Sequence, residues 1–169
     1  MGFESVDKNK YRNKPPELRI HKSSTGTGYL TSCAMREFFK HTDAVDILVD
    51  TDAKKIAFDR SPDENAETWK LSGAGEGSRG ADVHIKGALH DLGIHIDEVD
   101  RTWEFKLEYD RDHELIVADL REFVETYISR RRCSECGRVC DSTNALRLHI
   151  RTNHDEKHHQ SVATRGGGD

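Results

Sequence analysis

The residue types best suited to chemistry gather near the C-terminal end, as Cys133-x2-Cys136-x12-His149-x4-His154. Two thiolates on a short knuckle and two imidazoles close together along one helix form a soft-to-borderline set of four, which favours tetrahedral Zn²⁺. Four protein ligands leave no open position for water, so the pattern predicts one structural zinc and no hydrolytic chemistry. Cys140 is read as a small buried hydrophobe, with competition for the metal as the alternative. The 4 cysteines do not make a disulfide framework, because three of them fall within 133–140.

The pattern over residues 131–154 resembles the C2H2 zinc finger, which implies a ββα unit with Leu146 in its small core. Two positions depart from that family: Arg131 and Cys140 stand where aromatic residues are usual. Both changes shrink the core, so metal binding is expected to supply most of the folding energy. The resemblance places base-facing helix positions at Ser142, Ala145 and Leu148, a trio without arginine that offers little sequence readout beyond contact with a thymine methyl. Ser142 and Asn144 are the polar candidates there. Arg130, Arg131, Arg132, Arg138, Arg147 and Arg151 form a basic surface suited to phosphates. A solvated charged face, or a module that docks onto protein, remains the alternative.

The elements that must carry this cluster follow from composition and periodicity. Residues 1–16 are polar, contain four basic residues and end in Pro15-Pro16, so a disordered basic arm is expected. Residues 17–119 show short alternating runs broken by turn residues and two brief helical patterns, an α+β body. Leu120, Phe123, Val124, Tyr127 and Ile128 lie on one face of an amphipathic linker helix over 120–132. The finger then occupies 133–154, and 155–169 is expected to be a disordered tail.

The body reads as one plan used twice, over 18–58 and 69–120: a short strand, a glycine-rich loop, a brief helix and a hairpin. The helices match at Ala34, Met35 and Phe38 and at Ala88, Leu89 and Leu92; hairpins follow at 46–58 and 104–117. Ile47, Val49, Ile56 and Phe58 are expected to face inward in the first half, and Phe105, Leu107, Leu115 and Val117 in the second. Neither half can bury its own apolar face, whereas pairing them closes the sheet. This plan, clearest at Gly87–Ile94 and the hairpin after it, resembles the AbrB-type swapped-hairpin family, whose second unit usually comes from another subunit. The resemblance implies a duplicated small barrel that binds DNA through Arg19, Lys22, Lys70, Arg79 and Lys86. A generic α+β body with ordinary surface charge is the alternative. The loop Ser72–Gly80 lacks the Lys-Ser/Thr of a phosphate-binding loop and reads as a hairpin loop.

Composition narrows the function classes. The chain has 169 residues, 34% hydrophobic, with 26 Lys and Arg against 31 Asp and Glu; its mean hydropathy is −0.80. The net charge of −5 is unevenly placed: residues 129–169 sum to +3 and the rest to −8. The excess of Asp over Glu and of Arg over Lys resembles proteins of salt-loving archaea and their viruses. No apolar run approaches a membrane span, and the N-terminal stretch lacks a signal-peptide pattern, so a cytoplasmic protein without membrane contact is expected. His21, His41, His84, His90, His95 and His113 form no metal pair with carboxylates, Cys33 is read as a buried structural thiol, and no nucleophile with its base is recognisable. The sequence therefore predicts a non-enzymatic, nucleic-acid-binding transcription regulator, with DNA as the expected partner and a homodimer or protein partner as a further contributor. The alternative is an interaction adaptor, or a viral structural or assembly protein, that uses the finger for docking.

Overall fold

A computed structural model of the chain describes residues 14–22, 26–60, 67–73 and 79–154. The expectations for the arm (apart from Lys14 to Pro16), for the tail, and for 74–78 of the glycine-rich loop fall outside the described residues. The chain divides into two units, with the boundary after Val124.

The first unit is α+β, with one antiparallel sheet and few helices. Its elements are β1 (Glu17–Ile20), β2 (Thr27–Thr31), α1 (Ser32–Glu37), β3 (Ala44–Asp50), β4 (Lys55–Asp59) and β5 (Trp69–Lys70). There follow β6 (Gly80–His84), α2 (Lys86–Asp91), a 3-10 turn at Ile96–Glu98, β7 (Trp103–Asp110) and β8 (Leu115–Asp119). The strand order is β5-β3-β4-β8-β7-β1-β2-β6, and a bridge between Ser72 and Asp82 joins its two ends into a near-barrel. Closure of this kind leaves no long unpaired edge.

The pattern of pairings is unchanged when β1–β4 are exchanged with β5–β8. β1 pairs with β7 as β5 pairs with β3, while β2 meets β6 and β4 meets β8. The two hairpin turns also repeat atom for atom. Asp50 Oδ1 accepts the N–H groups of Asp52 and Ala53 at 3.0 and 2.7 Å; Asp110 Oδ1 accepts those of Asp112 and His113 at 3.0 and 3.3 Å. Each turn ends on a left-handed residue, Lys54 at φ 58° and Glu114 at φ 57°. An aspartate that caps its own turn is a local device that fixes hairpin register.

β2 begins inside the glycine-rich loop expected at Gly26 to Gly28, and β6 begins on Gly80, the last residue of the second expected loop. In β2 and β6 glycine marks close approach instead. A side chain at Gly28 would lie 2.9 Å from both Leu18 and Ile85, and one at Gly80 would collide with the Tyr29 phenol and the Leu30 carbonyl. Gly80 also holds φ 152°.

Alternation along the strands sends Leu18, Ile20, Leu30, Ile56, Phe58, Val83, Phe105 and Leu107 into the core. Burying each large apolar side chain contributes about 1.5–3 kcal/mol. In β8 the expected phase is wrong by one residue: Ile116 and Ala118 are buried, while Leu115 and Val117 are half-buried on the outside. Leu115 to Ala118 is an unbroken apolar run, so only the cross-strand register, Leu107 opposite Ala118 and Tyr109 opposite Ile116, sets its phase. Ile47 and Val49 lie opposite Phe58 and Ile56, as expected, but are only half-buried. Cys33 is likewise half-exposed instead of buried, and Arg36 donates to its sulfur at 3.2 Å. Trp103, Phe105 and Phe123 form an aromatic cluster with centroids 5.2–6.3 Å apart.

The linker helix is shorter than its apolar pattern suggested. α3 spans Arg121–Arg130 and contains the boundary between the units. Leu120 precedes it, and Arg131 and Arg132 belong to the turn that follows.

Candidate metal centre

The second unit is built from local signals. After α3 the chain makes a minimal hairpin, with one bridge between Arg132 and Val139 in place of the two full strands expected. Cys133 donates its N–H to Arg138 at 2.7 Å, and Cys140 donates to Arg131 at 3.0 Å. Gly137, at φ 73°, turns the knuckle and donates its N–H to the Cys133 carbonyl at 2.9 Å. The turn needs a left-handed residue there, which glycine adopts without penalty. α4 (Thr143–Asn153) then starts at Ser142, whose hydroxyl accepts the Ala145 N–H at 3.1 Å.

These elements bring together the four residues singled out by spacing. One ligand atom from each of Cys133, Cys136, His149 and His154 lies within 4.8 Å of the others. His149 Nε2 is 3.2 Å from Cys136 Sγ and 3.3 Å from His154 Nε2. A tetrahedral zinc with nitrogens at about 2.0–2.1 Å requires a nitrogen-to-nitrogen edge of about 3.3 Å. The donor set and its spacing fit a metal ion.

The electrostatics run in the same direction. The Cys136 backbone N–H pointing at Cys133, aided by that of Glu135, holds the Cys133 thiol below its ordinary range, and so favours the thiolate. Burial, followed by the nearby His154 and Arg138, lowers His149 and favours the neutral imidazole that can ligate. The Asn153 amide nitrogen donates to the His149 carbonyl at 2.9 Å, within the last turn of α4. Cys140 is buried and stands outside the four-residue group, as a core residue would.

Several residues read as nucleic-acid contacts are committed elsewhere. Arg131 is 5% exposed, and its guanidinium donates to the Asp141 carbonyl at 2.8 Å. Standing where an aromatic was expected, it fills the small core with its aliphatic stem and ties the knuckle to the start of α4. Ser142 spends its hydroxyl on the helix cap. In the body, Arg19 reaches Glu17 and Glu104 at 3.0 Å each, so its charge is already neutralised. Glu17 is two residues from Arg19 and was visible in the sequence, whereas Glu104 and the Asp141 carbonyl reach their arginines only through the fold.

The other candidates remain on the surface. Arg130 lies over the Tyr127 ring at 4.6 Å and is exposed. Arg132, Arg138, Asn144, Arg147 and Arg151 are exposed on the second unit; Lys22, Lys70, Arg79 and Lys86 are exposed on the first. Leu148 is 62% exposed as the last of the three helix positions read as base-facing. Among the described residues, no helix is long and apolar enough to cross a membrane. No family model, curated protein or solved structure matches the chain.

Proposed function

We propose that the chain is a non-enzymatic nucleic-acid-binding regulator, in which a single structural Zn²⁺ holds a C2H2-type finger and the finger grips phosphates. The observation that carries the reading is the convergence of two cysteine sulfurs and two histidine nitrogens beside Arg138, Arg147 and Arg151. Zinc supplies folding energy to a unit whose own core is too small to provide it. Exposed arginines around such a unit are suited to phosphates, whose neutralisation supplies most non-specific affinity. With Ala145 and Leu148 at the base-facing positions, binding by this finger would be weakly selective for sequence.

The repeated pairings and the twin hairpin turns support a duplicated, AbrB-like swapped-hairpin barrel for the body. Both units would then lie in one chain, and a second subunit is not needed to complete the sheet. The barrel would supply the additional contacts that a lone finger requires for useful affinity.

The direct test combines native mass spectrometry with duplex binding. One zinc per chain is expected, together with binding to random DNA duplex that weakens steeply with salt. Arg138→Ala, Arg147→Ala and Arg151→Ala together should flatten that salt dependence. A second reading, docking onto a protein, is favoured by the exposed Leu148. It would prevail if duplex binding were absent at low salt while Leu148→Asp abolished capture of a partner.

A further inference from the structure

We propose that the outer face of β1, β2, β5 and β6 is a second nucleic-acid site, one that takes a single strand and stacks its bases on Tyr29 and on the His84–Trp69 pair. The inference rests on the nucleic-acid reading above but uses none of the finger residues.

Register places these groups together. Leu18, Leu30, Leu71 and Val83 are buried, so Arg19, Tyr29, Lys70 and His84 lie on the outward side of their strands. Tyr29 stands opposite Asp82 and Thr27 opposite His84, which makes Tyr29 and His84 diagonal neighbours on adjacent strands. The Tyr29 ring leans the other way along β6, over Gly80, so Tyr29 and the His84–Trp69 pair are two separate platforms on one face. The Tyr29 phenol donates to the Arg79 carbonyl at 2.7 Å, which fixes the ring against the sheet. The His84 ring stacks on Trp69 with centroids 5.7 Å apart and planes at 29°. His84 is exposed and Trp69 half-buried, so the pair is accessible from solvent and anchored beneath.

Charge favours the same face. The two hairpins, Ala44–Asp59 and Trp103–Asp119, carry ten acids against four bases, whereas the described parts of 16–31 and 67–86 carry three acids against five bases. Lys22, Lys70 and Lys86 are exposed there and make no ion pair among the described residues. A side chain at Gly26 would collide with Lys86, which places Lys86 against the start of β2. Aromatic rings between cations on a sheet suit unstacked bases with their phosphates alongside. A duplex hides its base faces and has nothing to offer the rings. The ligand inferred is therefore single-stranded nucleic acid, bound with little regard to sequence because every base has a π-face.

The test uses the full chain, loaded with zinc, and a labelled thymidine 15-mer. Tryptophan emission should be quenched as the oligomer binds, and Trp69→Phe should remove most of the quench because Trp103 is buried. His84→Ala should weaken the oligomer roughly tenfold, with duplex binding and thermal midpoint unchanged. The triple arginine variant of the finger should do the reverse: duplex binding weakens and its salt dependence flattens, while 15-mer binding is kept. Failure of the oligomer to bind at low salt, or equal binding by the wild type and His84→Ala, overturns the proposal. If the wild type fails to bind duplex but binds the 15-mer through His84, the finger reading falls and this one stands.

Discussion

Ala57 of β4 lies directly opposite Val117 of β8, and the exchange that maps one half of the barrel onto the other carries each of these residues to the other's place. The two halves meet at that pair and interleave on either side of it. β1 leaves its own half to pair with β7, and β5 leaves its half to pair with β3. β1 keeps β2 as a neighbour within its own half, but its other edge is covered only by β7, and the ladder of β5 is supplied only by β3. Residues 14–60 expressed alone should not give a folded monomer. Size and circular dichroism should show either a disordered chain or a self-paired dimer, and addition of residues 67–124 should convert it to a one-to-one complex. A stable monomeric half would contradict the interleaved pairing.

Gly80 is under a different constraint. At φ 152°, with Leu30 O only 2.5 Å from where a Cβ would sit, it has no room for a methyl group. Gly80→Ala should push Tyr29 outward and cost about 2–3 kcal/mol, read as a lower thermal midpoint. Gly87→Ala provides the control: nothing lies within 4 Å of its Cβ position, so stability should hold or rise.

Arg131 separates structure from binding within the finger. Arg131→Ala empties part of a small core and orphans the Asp141 carbonyl, so it should cost about 1–3 kcal/mol and lower zinc affinity. Arg138→Ala should leave zinc affinity close to wild type while weakening duplex binding. Competition with a zinc-sensitive dye measures the first effect, and a salt titration measures the second.

Removal of the metal and acidification should act on the second unit in the same way. Chelation should unfold residues 131–154 and leave the barrel melting transition in place. Lowering the pH should release the metal as protons compete for the thiolates and imidazoles. Because both Cys133 and His149 are held below their ordinary values, release should begin at lower pH than for unperturbed groups. Dye competition across a pH series checks the direction.

Asp119 gives the barrel an acid-sensitive element. Partial burial pushes its carboxyl up, but the Arg121 N–H at 3.0 Å and guanidinium at 2.6 Å outweigh burial and hold it below its ordinary value. The folded state therefore prefers the carboxylate. Its contribution is complete above about pH 4, the unfolded value, and is lost as pH falls through the lower folded value. Asp119→Ala should cost about 0.5–1 kcal/mol at neutral pH, since the pair is exposed and screened. The difference from wild type should vanish in acid denaturation.

That Cys133, Cys136, His149 and His154 come together was legible in the sequence, because their spacing is dictated by one knuckle and one helix. The α+β class and the two hairpins were legible from alternation and turn residues, but β2 and β6 were hidden by the glycines that make their close packing possible. The phase of β8 was not legible: four consecutive apolar residues carry no alternation, and only register across from β7 decides which of them face inward. Arg131 and Arg19 were candidate nucleic-acid contacts, and the Asp141 carbonyl and Glu104 that engage them are brought up by the fold.

The bridge between Ser72 and Asp82 consists of two backbone hydrogen bonds, at 2.9 and 2.8 Å, where the other junctions are ladders. Among the described residues this is the thinnest junction, and breathing should begin there. The amides of these two residues should trade protons for deuterons well before those of Leu18 or Phe58, and a protease that enters the barrel would find its first foothold along that line.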